Sequence, residues 1–172
     1  MKKALFTLLF FLFIIFISCN EDVNSPVKLQ GFIFGTTYNI IYYDINTVFD
    51  EEINQLFEDV NNEISTYITT SDISRINRGE TDVSVNTYFK EVFSKSERIF
   101  EETNGYFDPT VGNLVNAWGF GPEKHLNNLD SSSVKDLMKF VGFDKVKINN
   151  NKVFKKYPET YFDFNSLGKG YG

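Results

Sequence analysis

Apolar residues recur every three or four positions in three parts of the chain, with acidic or polar residues between them. These stripes occupy residues 48–64, 88–103 and 134–141. Such spacing predicts amphipathic helices that bury one face against a core. Asn104 and Gly105 follow the second stripe and Gly142 follows the third, where residues that tolerate a left-handed backbone commonly end a helix. A shorter helix, capped by Ser71, is predicted within residues 65–78.

Other segments alternate apolar and polar residues in the way that strands do. Residues 30–43 (QGFIFGTTYNIIYY) predict either a pair of strands or one bent strand, because a Gly-Thr-Thr sequence interrupts the run. Residues 145–148 and 152–155 predict a hairpin, and residues 160–164 predict one more strand. Strands and helices do not alternate regularly, so the expected fold class is α+β, with a mixed sheet and packed helices.

The stretch 105–122 (GYFDPTVGNLVNAWGFGP) holds the only tryptophan of the chain. Asp108 and Pro109 suit the N-cap and the first position of a short helix, and apolar residues follow at helical spacing. A capped helix is therefore one interpretation. The other is a ligand site, because Tyr106 and Phe107 beside the acid could seat a flat aromatic ring and fix one of its polar edges.

The last ten residues (DFNSLGKGYG) predict a strand that passes into a helix capped at Asn165 or Ser166. An ordinary strand-to-helix turn is one interpretation of this stretch. A phosphate site is the other, because Gly168 and Gly170 let backbone N–H groups approach an oxyanion and Lys169 adds a positive charge.

The chain opens with a targeting signature. Lys2 and Lys3 precede an apolar run that is shorter than the roughly 20 residues a membrane-spanning helix needs. Residues 1–18 are therefore expected to be a signal peptide, and residues 19–29 a polar tether. Cys19 is expected to be the lipidated first residue of a bacterial lipoprotein, a free thiol being the alternative. This assignment predicts a membrane-anchored protein of the cell envelope that faces the periplasm or the cell exterior.

Composition narrows the possible partners. The net charge of −6 argues against nucleic acid, whose binding draws on basic patches. Cys19 is the only cysteine, so no internal disulfide is expected. His125, the only histidine, lies in a polar segment without the partners that nucleophilic catalysis needs, and it is predicted to be solvated.

Six short blocks stand out as an ordered set. They are 34–38 (FGTTY), 64–67 (ISTY), 71–77 (SDISRIN), 105–112 (GYFDPTVG), 118–122 (WGFGP) and 163–171 (DFNSLGKGY). In order and spacing they resemble the ApbE family of bacterial FAD:protein FMN transferases, and the resemblance covers residues 31–172. It implies a fold related to the T-fold, in which residues 30–172 form the N-terminal portion of a flavin transferase domain.

The resemblance also implies roles for individual positions. Tyr67 matches the tyrosine that stacks on the flavin ring, and Phe34 stands where the family usually has methionine. Ser166 matches a position whose backbone carbonyl binds Mg²⁺. By resemblance, the FAD-binding positions are Phe34, Tyr67, Tyr106, Phe107, Asp108, Asp163 and Lys169.

The implied reaction moves FMN from FAD to a Thr or Ser hydroxyl of a target protein and releases AMP, with Mg²⁺ as cofactor. The implied acceptors are subunits of membrane redox complexes or other flavinylated proteins. By resemblance, the family's C-terminal half, which carries further metal ligands, is expected to be missing from the sequence as given. The chain is therefore expected to be an incomplete domain with little activity by itself. The alternatives are a lipid-anchored flavin-binding module without catalysis and a flavoprotein electron carrier.

Overall fold

The computed structural model describes residues 25–43, 48–123 and 125–172. The expected signal peptide, Cys19 and the tether as far as residue 24 lie outside the described residues. Within the described ranges, no helix combines the length and the apolar character that a bilayer crossing requires.

The predicted strand pair near the N-terminus is confirmed. Strands β1 (Val27–Ile33) and β2 (Thr36–Tyr42) form an antiparallel hairpin in which Ile33 pairs with Thr36. Phe34 and Gly35 make the two-residue connection with φ angles of 51° and 71°. Positive φ at both positions gives the turn whose twist matches that of the flanking strands. Strand β1 begins at Val27, inside the segment expected to be a tether.

The two long predicted helices and the short one between them are also confirmed. They are α1 (Asp50–Ile64), α2 (Asp72–Asn77) and α3 (Thr87–Glu102). The Ser71 hydroxyl oxygen accepts a hydrogen bond from the Ser74 N–H at 3.2 Å, as an N-cap does. After α3, Asn104 and Gly105 both have positive φ, which turns the chain away from the helix axis.

The core lies where α1 and α3 meet the C-terminal part of the chain. Its centre is a group of phenylalanine rings in edge-on and tilted contact. They are Phe89, Phe93, Phe143, Phe162 and Phe164. A buried carboxylate joins the two long helices, because Glu63 of α1 accepts a hydrogen bond at 2.7 Å from the Phe89 N–H in the first turn of α3. That N–H has no partner within its own helix, so Glu63 acts as a cap supplied from a neighbour.

The predicted helix start at Asp108 and Pro109 is wrong. Helix α4 spans Gly112–Ala117. The Asp108 carboxylate instead accepts hydrogen bonds from the N–H and the hydroxyl of Thr110, at 2.8 and 2.6 Å. These bonds close a turn of the Asx type, which competes with helix formation at this point.

The third predicted helix is present, and its C-terminal end continues as a 3₁₀ turn. Helix α5 (Ser131–Leu137) begins after Asp130, whose carboxylate accepts a hydrogen bond from the Ser133 N–H at 2.8 Å. A 3₁₀ turn (Met138–Phe140) continues it towards Gly142. The predicted hairpin follows as β3 (Val146–Asn149) and β4 (Lys152–Lys155).

The prediction of a strand at residues 160–164 is wrong, because this segment joins neither of the two sheets that the structure describes. Among the described residues, this segment forms a single parallel bridge, between Tyr161 and Val111. On its other side the side chain of Asn77, not a strand, bonds to the backbone of Phe162. The predicted helix follows as α6 (Asn165–Tyr171), but the predicted cap at Asn165 or Ser166 is wrong, because the N-cap position is Phe164 and no side-chain cap hydrogen bond forms there. The α+β class is confirmed, with the strands of the described residues arranged as two antiparallel hairpins.

Helix α4 approaches the 160–164 segment closely at Gly112. The Gly112 N–H donates a hydrogen bond to the Tyr161 carbonyl oxygen at 3.1 Å. A Cβ atom at Gly112 would lie 2.8 Å from that oxygen and 2.5 Å from the Tyr161 ring. Both distances are too short for van der Waals contact, so only glycine fits without a backbone shift.

We therefore expect Gly112→Ala to lower the free energy of unfolding by about 1–3 kcal/mol, the usual cost of overpacking. Urea unfolding followed by circular dichroism measures the change. Gly170→Ala is the matched control, because Gly170 lies within α6 and a Cβ there meets nothing within 4 Å. The control should leave stability equal or slightly higher, since alanine favours helix. Equal stability of the Gly112→Ala variant and the wild type would contradict the close approach.

Candidate functional site

A cleft of about 710 Å³ lies between the turn of the first hairpin, the C-terminal end of α1 and helix α6. The loop after α1 and the segment after α4 complete its walls. The residues that line it are Phe32, Ile33, Phe34, Gly35, Asn61, Ile64, Ser65, Tyr67, Ile68, Val115, Phe120, Asp163, Phe164, Asn165, Gly168 and Lys169.

Aromatic side chains line much of the cleft. The Tyr67 side chain is 61% exposed and that of Phe120 is 77% exposed, so both present ring surface to a ligand. The Tyr67 hydroxyl donates a hydrogen bond to the Phe120 carbonyl oxygen at 3.2 Å, which ties the two walls together. Phe32 adds a third exposed ring from β1. A flat aromatic ligand would gain stacking contacts on these faces.

The loop that carries Tyr67 is held by buried serines of helix α2 and its cap. The Ser71 hydroxyl donates to the Ser65 carbonyl oxygen at 2.6 Å, and the Ser74 hydroxyl contacts the Thr66 carbonyl oxygen at 3.3 Å. Asn165 of α6 donates to the Thr66 hydroxyl at 3.2 Å. The sequence Ser-x-x-Ser, formed by the N-cap Ser71 and by Ser74 of α2, therefore sets the position of the loop that carries Tyr67.

Phe34 enters the cleft from an unusual backbone conformation. A bulky residue with φ of 51° is uncommon, and such a residue persists only where its surroundings hold it. The Phe34 ring packs edge-on against Phe57 of α1, with 5.8 Å between ring centroids. The hairpin turn is thereby fastened to the helix beneath it.

The lining of the cleft includes charged side chains of both signs. They are Asp163, which precedes α6, and Lys169 within α6. Burial raises the pKa of the Asp163 carboxyl above its ordinary value, although a hydrogen bond from the Asn165 N–H, 2.8 Å long, acts in the opposite direction. An ammonium group and a carboxyl group in the lining suit a ligand that carries both an anionic group and hydrogen-bond donors.

The glycines of the last block do not form an open anion cradle. Gly168 lies inside α6, and its N–H donates to the Phe164 carbonyl oxygen at 2.9 Å. The Leu167 N–H donates to the same oxygen, also at 2.9 Å. These donors are already used within the helix, so Lys169 remains as the feature of this block that favours an anion.

The structure brings together some of the residues proposed for the site from the sequence. Phe34, Tyr67, Asp163 and Lys169 line the cleft, whereas Tyr106, Phe107, Asp108 and Ser166 do not. Tyr106 is 97% exposed and Asp108 is engaged in its own turn with Thr110. The proposed FAD contacts of the Tyr106–Asp108 segment stay predictions.

Several lining residues were not predicted as site residues. Phe32, Asn61, Phe120 and Asn165 are the clearest cases. Phe120 lies in the block WGFGP, whose glycines indicate a turn on the surface. Phe120 stands between two glycines in the sequence, and this was the available signal for an exposed ring. Phe32, close to the turn at Phe34 and Gly35, gave a similar signal.

The described residues do not by themselves assemble a complete magnesium site. Within this part of the chain, His, Cys, Asp and Glu side chains form no group of three that could hold a metal ion. Mg²⁺ demands near-octahedral oxygen ligands, usually including carboxylates. Ser166, in the first turn of α6, is the one position assigned to Mg²⁺ by resemblance, and a single carbonyl does not meet that demand.

The chain is similar to a group of named proteins. It is 32% identical over 169 residues to the FAD:protein FMN transferase of Haemophilus influenzae, covering 90% of this chain and 49% of that protein. It is 35% identical over 160 residues to the FAD:protein FMN transferase of Vibrio cholerae, covering 88% of this chain and 48% of that protein. The chain thus spans about half the length of the curated relatives it matches.

Solved structures agree in fold. The flavin transferase ApbE from Vibrio cholerae superposes with a TM-score of 0.78 at 34% identity, covering 86% of this chain and 50% of that one. The flavinyl transferase ApbE of Pseudomonas stutzeri superposes with a TM-score of 0.77 at 22% identity, covering 86% and 49%, which shows a shared fold. The model of the ApbE family matches residues 34–172. The chain with this aromatic cleft therefore belongs to the ApbE family.

Proposed function

We propose that this protein takes part in transferring FMN from FAD to a Thr or Ser hydroxyl of a target protein, with release of AMP. The single observation that carries the proposal is the cleft, which has exposed aromatic faces along its walls and Asp163 and Lys169 among its lining residues. The similar proteins of Haemophilus influenzae and Vibrio cholerae are FAD:protein FMN transferases, which supports the same substrate here.

The chemistry of transfer is a substitution at phosphorus. The acceptor hydroxyl oxygen forms a bond to the phosphorus of the FMN half, and the bond from that phosphorus to the bridging oxygen breaks. AMP leaves with the bridging oxygen, and the hydroxyl proton passes to solvent or a base. The residues of this chain act by binding: Tyr67 and Phe120 stack on the isoalloxazine ring, and Lys169 attracts the pyrophosphate.

The proposed reaction requires Mg²⁺, because the pyrophosphate carries negative charge and this charge increases on the leaving group. Divalent cations neutralise such charge in phosphoryl transfer. Among the described residues, the backbone carbonyl of Ser166 is the one oxygen assigned to the ion by resemblance.

The proposed setting is the bacterial cell envelope. A lipid on Cys19 would anchor the protein to a membrane, facing the periplasm or the cell exterior. Acceptors would then be envelope proteins such as subunits of membrane redox complexes. Residues 1–18 would be removed as a signal peptide, and no nucleic-acid partner is proposed for an acidic chain.

The test of transfer uses source cells with and without the gene, because covalent flavin on a protein survives denaturation. Envelope proteins are separated under denaturing conditions and viewed by flavin fluorescence. We expect fluorescent bands that disappear on deletion of the gene and return with the plasmid-borne gene. Unchanged bands in the deletion strain would contradict the proposal. Binding of FAD by the purified protein, without covalent flavin in any envelope protein, would favour a lipid-anchored flavin-binding module.

Replacing Tyr67 by alanine should weaken FAD binding by about tenfold, because stacking between aromatic faces contributes roughly 0.5–1.5 kcal/mol beyond the buried area. Quenching of flavin fluorescence in a titration of the purified protein gives the dissociation constant. Trp118→Ala is the matched control, since Trp118 is 62% exposed, against 61% for Tyr67, and does not line the cleft. Equal weakening by both substitutions would show that the cleft is not the flavin site.

FAD affinity should fall as the pH drops through the raised pKa of Asp163. We expect this because the ionised carboxylate accepts hydrogen bonds from ligand donors and the protonated form accepts fewer. A carboxyl group whose pKa is raised in the folded state contributes stability below its unfolded-state pKa and loses that contribution as the pH rises. Lowering the pH therefore does not unfold the protein through Asp163, so unfolding is not the cause of the expected loss of affinity. Titrations of FAD at a series of pH values from acidic to neutral measure the effect. Asp163→Asn should remove the dependence, and a variant with the wild-type pH profile would contradict this role.

A further inference from the structure

We propose that Asn77 is a positioning residue of the flavin site: its side-chain amide pairs with both backbone polar groups of Phe162 and so sets where the Asp163 carboxylate lies on the cleft wall. The inference rests on the proposed function, because that function gives Asp163 a ligand. Asn77 itself does not line the cleft.

The side chain of Asn77 pairs with the backbone of Phe162 in the way that a neighbouring strand would. Its side-chain nitrogen donates to the Phe162 carbonyl oxygen at 2.9 Å, and its side-chain oxygen accepts from the Phe162 N–H at 2.8 Å. An amide side chain has one donor and one acceptor at this spacing, as a neighbouring strand residue would. Phe162 is fully buried, so without Asn77 both backbone groups would be left without water or a partner.

The opposite side of the segment is fixed by backbone bonds. The Asp163 N–H donates to the Pro109 carbonyl oxygen at 2.8 Å, and the Tyr161 carbonyl oxygen accepts from the Gly112 N–H at 3.1 Å. Asn77 therefore closes the one side on which the segment lacks such partners. The position of Asp163 is thus fixed on one side by the hydrogen bond of its own N–H and on the other side by the bonds of its neighbour Phe162 to Asn77.

A half-buried lysine, Lys155, fixes Asn77 in turn. The Lys155 ammonium donates to the carbonyl oxygens of Ile76 and Thr160, both at 3.0 Å, and contacts that of Asn77 at 3.5 Å. These acceptors belong to the end of α2 and to the start of the Asp163 segment. Burial lowers the pKa of Lys155 to about 8, so the group is mostly protonated at neutral pH. One cation thus joins the two pieces that Asn77 bridges.

The arrangement explains why a residue far from the ligand matters to it. Asn77 and Phe162 are 85 positions apart in the sequence. Phe162 packs with Phe89 in the core, which fixes the ring, while Asn77 fixes the backbone that carries the ring. Both constraints are needed to aim the next side chain, because a backbone can rotate about a fixed ring.

The test compares Asn77→Ala and Asn77→Gln with the wild type in two measurements. The first is the titration of the Asp163 carboxyl in the free protein, followed by ¹³C NMR. The second is FAD affinity. Asn113→Ala is the matched control, because the Asn113 amide donates to the carbonyl oxygen of Glu159, the residue just before the segment, and has no hydrogen bond to Phe162.

We expect both Asn77 variants to move the Asp163 titration towards an ordinary carboxyl and to weaken FAD binding by about tenfold, the scale of one lost hydrogen bond. Asn113→Ala should change neither measurement. An unchanged Asp163 titration in a folded Asn77→Ala protein, even with a lower melting temperature, would overturn the inference, since it would show a role in stability alone.

The two measurements also separate this inference from the proposed function. A shifted Asp163 titration in a protein that binds no FAD even as wild type would refute the flavin site and leave the positioning role of Asn77 intact. If neither variant folds, the wild-type protein decides the matter through hydrogen exchange of the Asn77 side-chain amide. Slow exchange supports the bond to Phe162, and exchange at the rate of a free amide overturns it.

Discussion

The alternation of Phe162, Asp163 and Phe164 is the constraint on which the rest of the structure depends. Both phenylalanine rings are fully buried and contact Phe89 of α3, with centroid distances of 6.4 and 5.4 Å. Successive side chains of an extended segment point to opposite sides. Burying the two rings therefore turns the carboxyl group between them away from the core centre, and it is found on the cleft wall. The hydrophobic energy of two large aromatic side chains thus fixes a polar group that would not hold its own position.

The same constraint links the long helices to the site. Phe89 belongs to the first turn of α3, and its N–H is capped by Glu63 of α1. Burial raises the pKa of Glu63, so the cap carries a cost that the hydrogen bond partly offsets. Helix α6 is attached to α3 as well, since the Tyr171 hydroxyl donates to Glu91 at 2.7 Å. The helix that carries Lys169 and the segment that carries Asp163 consequently share one support.

Local features could be predicted from the sequence, and features that depend on distant contacts could not. Periodicity located α1 and α3, and the caps at Ser71 and after Thr103 act within a few residues of themselves. Asp108 satisfied the rule for an N-cap, yet Thr110 offers it a nearer pair of donors. Residues 160–164 have the composition of a strand, but their partners are Asn77 and Gly112, which lie far away in the sequence. Tyr67 and Phe34 were found through the resemblance, whereas Phe32 and Phe120 depend on how the hairpin and the segment after α4 face each other.

The cleft combines two kinds of lining, and this difference bears on ligand recognition. The exposed rings of Phe32, Tyr67 and Phe120 stand on the first hairpin, a loop and the segment after α4. Asp163 stands on backbone that is bonded on both sides and anchored in the core. Rigid placement of Asp163 preserves hydrogen-bond geometry, because misplacing a hydrogen-bonding group costs more than misplacing a stacking face. Stacking tolerates small displacements, so the exposed rings can follow a planar ligand whose donors are fixed at Asp163. The cleft is therefore suited to a ligand that joins a flat ring to hydrogen-bond donors for Asp163 and an anionic group for Lys169.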